Sequence, residues 1–192
     1  MNIDPKEKEK FNKIAEEWWD SSGKFAPLHK INSLRANYIS DRVDLDKKQI
    51  LDVACGGGLL TEALFKKGGI VSGIDISDVA IHTAKNHAES ANIDVNYVLG
   101  EAEELLPENK ERFDVVTCLE MLEHVPNPAS IVSACFKLTK PGGFVFFSTL
   151  NRNPKSYLFA IIGAEYILKL LPRGTHEYSK FIKPSELADW CR

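Results

Sequence analysis

The sequence predicts a doubly wound α/β fold, a mostly parallel sheet with helices on both faces, and three observations carry that prediction. Short apolar runs recur between segments of helical spacing, the first run ends in Gly56-Gly57-Gly58, and the second ends in an acid, Asp75. Strands that recur with helical crossovers between them lie parallel, and a parallel sheet is buried on both faces. The 192 residues are 44% apolar and 27% charged, which is the composition of an ordinary folded domain and excludes disorder, collagen-like repeats and disulfide-stapled miniproteins.

Asp4 to Asp20 sets Phe11, Ile14, Ala15, Trp18 and Trp19 at spacings of three and four, which predicts one amphipathic helix ending near Ser21-Ser22-Gly23. Pro27 and Asn32 then flank a loop, and Leu34, Tyr38 and Ile39 predict a second helix to about Arg42. Residues 1–44 thus read as an N-terminal helical segment, in which Trp18, Trp19, Phe25 and Tyr38 either cover a substrate as a lid or pack as core. Residues 45–192 read as the core. Strands are expected at Gln49–Ala54, Ile70–Asp75, Val95–Leu99, Phe113–Leu119 and, after Pro141-Gly142-Gly143, at Phe144–Thr149. Helices are expected at Leu59–Lys67, Asp78–Ser90, Ala129–Leu138 and Lys183–Trp190.

Lys plus Arg number 24 against 27 Asp plus Glu, a net charge of −3, so no positive field spans the surface to hold nucleic acid. The four cysteines (Cys55, Cys118, Cys135, Cys191) form no C-x-x-C pair and no signal peptide opens the chain, so a cytoplasmic location is expected. The longest apolar stretch, Tyr157 to Leu171, is broken by Glu165 and Lys169 and is too short to span a bilayer. Arg152, Lys155, Lys169, Arg173, Lys180 and Lys183 surround it. An apolar helix over about 154–172 with basic flanks either lies in an anionic membrane interface or serves as a core or dimer-interface helix.

Ligands of doubly wound sheets bind outside the carboxyl ends of the strands. There Gly56 and Gly58 let the backbone turn sharply and a ligand approach it, although glycines also serve plain packing. Asp75, about twenty residues on, is placed to accept ribose hydroxyls, while the alternative task of capping the next helix already falls to Ser77 and Asp78. Asp52 would repel a pyrophosphate and suits a ligand bearing an ammonium group. Gly100-Glu101-Ala102-Glu103 offers a carboxylate and a main-chain amide to an adenine edge, or else is a helix start with acids at its positive end.

The glycine turn with its upstream Asp52, the strand-two Asp75 and Gly100-Glu101-Ala102 together resemble the class I S-adenosylmethionine-dependent methyltransferases, a Rossmann-like fold. Trp18-Trp19-Asp20, the stretch Pro27 to Arg35, Cys118 to Val125, Phe146 to Asn153 and Gly163 to Leu168 narrow the resemblance, over essentially the whole chain, to the ubiquinone-biosynthesis O-methyltransferases. The resemblance implies methylation of phenolic hydroxyls on polyprenylated precursors, a polyprenyl-hydroxyphenol and a demethylubiquinol, with S-adenosylmethionine as donor. It implies cofactor contacts at Arg35, Ala54, Asp75 and Leu119, and tips the apolar basic helix toward reversible docking on the inner face of the membrane, with a complex of ubiquinone-biosynthesis proteins as a partner. Ala54 departs from the family, which usually has glycine there, and a positive φ at that residue would be strained. Family members also continue into a further strand pair, so the chain reads as C-terminally truncated, with an uncovered apolar edge expected to lower solubility or to recruit a partner.

Chemistry is expected after the fourth strand, where Glu120, Glu123 and His124 at i, i+3 and i+4 would share one face of a helical turn. Three readings stand. The three side chains hold a divalent ion such as Mg²⁺, which binds a catechol and lowers its pKa, as related members of the family do; or His124 is the general base; or the residues form a satisfied turn before Pro126. Two other function classes remain beside the methyltransferase. The absent third glycine of G-x-G-x-x-G, replaced by Thr61, argues against a nicotinamide-dependent oxidoreductase, and Glu120, Glu123 and His124 argue against a non-catalytic nucleotide-binding or membrane-docking module.

Overall fold

The computed structural model describes residues 2–158 and 177–192. Strands β1 (Gln49–Val53), β2 (Ile70–Asp75), β3 (Asn96–Leu99), β4 (Phe113–Leu119) and β5 (Thr139–Ser148) form one parallel sheet in the order β3-β2-β1-β4-β5. The chain runs outward from β1 to β3 and then returns to the other side of β1 for β4. That reversal opens a crevice at the carboxyl ends of β1 and β4, where such sheets bind ligands.

Alternation of side chains along the strands divides the core into two. Ile50 and Val115 face Ala36, Ile39, Leu60 and Leu64, contributed by helices α2 (Ala26–Ser40) and α3 (Leu59–Phe65). Leu51, Val116 and Cys118 join the opposite cluster with Ile131, Val132, Cys135 and Leu138 of α6 (Pro128–Leu138) and with Ile182. Helix α4 (Asp78–Ser90) lays Ile81, Ala84 and Ala88 against Tyr97. Ser77 starts it, its hydroxyl accepting from the Ala80 amide at 3.0 Å, as a helix N-cap does.

Three expectations are corrected. The helix expected over Asp4–Asp20 is instead helix α1 (Pro5–Asn12) and a separate 3-10 turn, Ala15–Glu17, because the chain bends to lay Trp18 and Trp19 on the glycine turn. There the Trp19 indole N–H donates to the Gly57 carbonyl at 2.9 Å. Helix α2 begins at Ala26, so Pro27 and Asn32 lie inside it. Proline at the first turn starts a helix as readily as it ends one, and the Asn32 amide donates across to the Leu59 carbonyl at 2.8 Å. Strand β5 begins five residues early, and Pro141-Gly142-Gly143 is absorbed as a register shift: Phe113 pairs with Thr139, but Val115 pairs with Phe144. A 3-10 turn, Ala102–Leu105, and helix α5 (Leu106–Asn109) link β3 to β4.

A short helix α7 (Pro154–Ser156) follows β5, and α8 (Pro184–Trp190) lies where a final helix was expected, packing Leu187 and Trp190 against the α6 core. Most of the expected apolar basic helix falls at 159–176, outside the described residues. Among the described residues no helix is long and apolar enough to cross a membrane.

Candidate active site

The crevice is shaped where β1 gives way to a turn of positive φ beside the end of β2. Ala54 leaves β1 with φ 57°, Gly56 follows at 54° and Gly58 at 90° before α3 begins. A Cβ on Gly56 or Gly57 would run into the Trp18 ring, and one on Gly58 into the Tyr97 hydroxyl, so the turn is closed over on both sides. Asp75 braces it, accepting from the amides of Gly56 at 2.9 Å and Ser77 at 2.8 Å. Burial raises the Asp75 pKa, and those two amides oppose the rise.

A cavity opens on this turn. Its walls include Ala54, Gly56, Asp75, Glu101, Ala102, Glu120 and His124, seven of the expected site residues, together with Asn2, Glu7, Lys8, Phe11, Trp18 and Met121. Asp52 lies beneath the floor. It is fully enclosed and receives two hydroxyl donors, Thr61 and Thr117, each at 2.7 Å. Burial nevertheless pushes its pKa up to about 6. Arg35, Gly58, Leu119 and Glu123 also stand outside the cavity wall.

Glu101 starts the turn and faces the cavity at once. It caps the 3-10 turn that follows β3 and lines the cavity, while its carboxylate accepts from the Asn2 amide at 2.6 Å. Asn2 also exchanges hydrogen bonds with Asn127, and Asp4 pairs with Lys180 at 3.2 Å, so the N-terminal segment is fastened over the cavity from both sides. Of the four aromatics considered for a lid, Trp18 lines the cavity and Trp19 stacks on His87 with ring centres 3.3 Å apart. Phe25 is buried against Trp18, and Tyr38 is exposed on α2.

The cluster after β4 differs from the expected helical face. Glu120 sits at φ 56° and the 3-10 turn Leu122–His124 follows it, so the three side chains diverge. Glu120 pairs with Arg35 at 2.9 Å and accepts from the Ser148 hydroxyl at 2.8 Å. Glu123 is buried and accepts from the Thr149 hydroxyl at 2.8 Å. His124 bonds through Nδ1 to Glu7 at 2.8 Å. Among the described residues no three His, Cys, Asp or Glu side chains converge as a metal-holding group. The two carboxylates, Glu120 and Glu123, are the oxygen donors that a hard divalent cation takes, but the side chains as placed do not converge on one point. Burial raises the Glu123 pKa, and the negative charge of Glu120 raises it further, a repulsion that a cation would relieve.

Residues 51–147 match the family model of a methyltransferase domain. The ubiquinone biosynthesis O-methyltransferase of Saccharophagus degradans is 55% identical over 192 residues, all of this chain and 81% of that protein. The chain belongs to the ubiquinone biosynthesis O-methyltransferase family. The Nitrosomonas europaea member is 57% identical over 193 aligned residues, again all of this chain and 82% of the relative. Magnesium protoporphyrin IX methyltransferase from Synechocystis, solved with bound SAH, shares the fold at a TM-score of 0.66 and 17% identity, over 86% of this chain and 72% of that one. Membership makes the chain an S-adenosylmethionine-dependent O-methyltransferase, and the nicotinamide and non-catalytic readings give way.

The residues that sequence reasoning missed are Asn2, Glu7, Lys8 and Phe11. Each reaches the cavity from the N-terminal segment, and the Glu7–His124 bond joins residues 117 apart in the chain. The one signal pointing to them was the aromatic content of that segment, which put a lid there without saying which polar side chains it carries.

Proposed function

We propose that the chain methylates a phenolic oxygen of a polyprenylated ubiquinone precursor, a reading supported by relatives named ubiquinone biosynthesis O-methyltransferases. The observation that carries this reading is the single cavity onto which Ala54, Asp75, Glu101 and His124 open from β1, β2, β3 and β4. Asp75 would hold the ribose hydroxyls of the cofactor, and Glu101 with Ala102 the adenine edge. Arg35, Asp52 and Leu119 stand around the amino-acid end, Asp52 as the counter-charge of the ammonium group. The bound S-adenosylmethionine supplies a methyl group made electrophilic by its sulfonium.

His124 is the proton acceptor in this proposal. Hydrogen bonding to His124 holds the Glu7 carboxyl below the usual range, so Glu7 is an acceptor only and Nδ1 must donate. With Nδ1 committed to Glu7, Nε2 is the ring nitrogen that would take a proton from a phenol. The N-terminal segment covers the cavity and keeps water from the sulfonium. In the alternative reading Glu120, Glu123 and His124 would hold a divalent ion, His124 serving as a ligand in place of the base, and the ion's contribution would be to lower the pKa of a coordinated phenol. The apolar stretch between Arg152 and Lys183, with its basic flanks, supports docking at an anionic membrane surface, where a polyprenylated substrate resides.

Asp75→Ala tests the cofactor assignment. Calorimetry is expected to show S-adenosylhomocysteine affinity reduced by at least about a hundredfold, for the loss of a charge-assisted pair of hydrogen bonds. Wild-type affinity in the variant would remove Asp75 from the ribose.

A further inference from the structure

We infer that His87 is a positioning residue for the cofactor, acting through Trp19 on the carbonyl of Gly57. This role rests on the reading above that S-adenosylmethionine occupies the cavity on the glycine turn, and it names what holds that turn in shape from outside the cavity. The peptide unit joining Gly57 to Gly58 lies between positive φ angles, 54° at Gly56 and 90° at Gly58. Its amide, on Gly58, donates back to the Cys55 carbonyl at 3.0 Å within the turn. Its carbonyl, on Gly57, points the opposite way, as in any trans peptide, and accepts from the Trp19 indole N–H at 2.9 Å. A unit between glycines rotates at little steric cost, so the Trp19 bond selects one orientation of it.

Trp19 is held in turn by His87 of α4. The indole lies flat on the imidazole, with the planes 3° apart and the ring centres separated by 3.3 Å. A face-to-face stack fixes the plane of the indole, and with it the plane in which the N–H points. The neighbouring Trp18 carbonyl is tied down as well, accepting from His29 Nε2 at 2.8 Å, and the Trp18 ring lies against Gly56 and Gly57 and lines the cavity.

The imidazole is fixed by a buried acid. Glu62 of α3 is 1% exposed, a burial that a carboxylate tolerates only when it is paired. Its Oε1 accepts from His87 Nδ1 at 2.7 Å, and the Lys66 ammonium lies 3.9 Å from Oε2. Glu62 stands one turn into the helix that Gly58 starts, its amide donating to the Gly58 carbonyl at 2.9 Å. The contacts therefore close on themselves. They run from Gly57 and Gly58 through α3 to Glu62, across to His87 on α4, and back through Trp19 to Gly57. His87 stands outside the cavity wall, so what it does for the cofactor it does through Trp19.

Calorimetry with S-adenosylhomocysteine tests this role, with thermal unfolding to show that each variant is folded. Trp19→Phe keeps a ring on His87 and removes the N–H, and its Kd is expected to rise about fivefold, for the loss of one hydrogen bond. Two further variants remove the buried acid, so that no charge is left unpaired. Glu62→Leu/His87→Phe keeps a flat ring under Trp19, and Glu62→Leu/His87→Leu does not. The first is expected to bind as wild type does, and the second about fivefold more weakly. Adding Trp19→Phe to both is expected to erase the difference between them, since effects that pass through one bond do not add. Wild-type affinity in Trp19→Phe or in Glu62→Leu/His87→Leu would overturn the assignment. So would equal affinity in the two Glu62→Leu variants, or a difference between them that survives Trp19→Phe, either of which leaves His87 as a packing residue between α3 and α4. Failure of wild type to bind S-adenosylhomocysteine would instead refute the cofactor reading, and the role of His87 with it.

Discussion

Ala54 is where a single residue shows the balance between fold and ligand. At φ 57° a non-glycine residue carries a penalty of about 1–2 kcal/mol from its Cβ against the carbonyl oxygen. The conformation is retained because the turn is held on both sides, by Asp75 on the Gly56 amide and by the Cys55 amide bonding to the Ile74 carbonyl at 3.1 Å. The strain was anticipated in the sequence on the condition of a positive φ, which the structure now shows. Ala54→Gly is expected to stabilise the protein by about 0.5–1 kcal/mol after the extra freedom of glycine in the unfolded chain is subtracted. Thermal unfolding should report it as a rise of about 2–3 °C. An unchanged or lower Tm would mean that the added methyl is compensated by contacts in the cavity wall.

At the scale of elements, β2, β4 and α4 run over the residues that the sequence pattern predicts, because a buried parallel strand is a continuous apolar run and Ser77 marks the start of α4. The N-terminal elements were less legible for an equally physical reason. Nothing within residues 13–18 shows that Trp18 must turn onto glycines about forty residues away, so periodicity alone extended α1 too far. Asp75 and His124 were singled out by their positions after a strand and Ala54 by the resemblance, and all three line the cavity, whereas Glu7 comes to notice only by meeting His124 in space. Helix α1 therefore brings a carboxylate to His124 as well as covering the cavity. Exhaustive chelation is expected to lower methyl transfer by at least about tenfold, with Mg²⁺ restoring it, because a coordinated phenol ionises more readily. Full activity in chelator would leave the Glu7–His124 pair as the means of deprotonation and remove the ion from Glu120 and Glu123.

For the molecule as a whole, the net charge of −3 conceals an uneven distribution. Asp52, Asp75 and Glu123 all lie at the carboxyl ends of the sheet, and burial raises the pKa of each. Acids that lack full compensation thus gather around the crevice, and in the proposed function a ligand with a sulfonium and an ammonium group would offset them. Asp52 gives this a measurable sign. Its pKa is 3.8 in the unfolded chain and about 6 in the fold, so between those values the folded state binds the extra proton. The stability contributed by protonated Asp52 is complete below pH 3.8, declines as pH rises toward 6, and is lost above it. The full swing is about 3 kcal/mol. Asp52→Asn has no such proton, so the stability of the variant relative to wild type is expected to climb from pH 4 to pH 6 and to level off above. Urea unfolding of both proteins at pH 4, 5, 6 and 7 measures this difference while cancelling the other acids. A difference that stays flat across the range would show that Thr61 and Thr117 hold the Asp52 carboxylate ionised throughout.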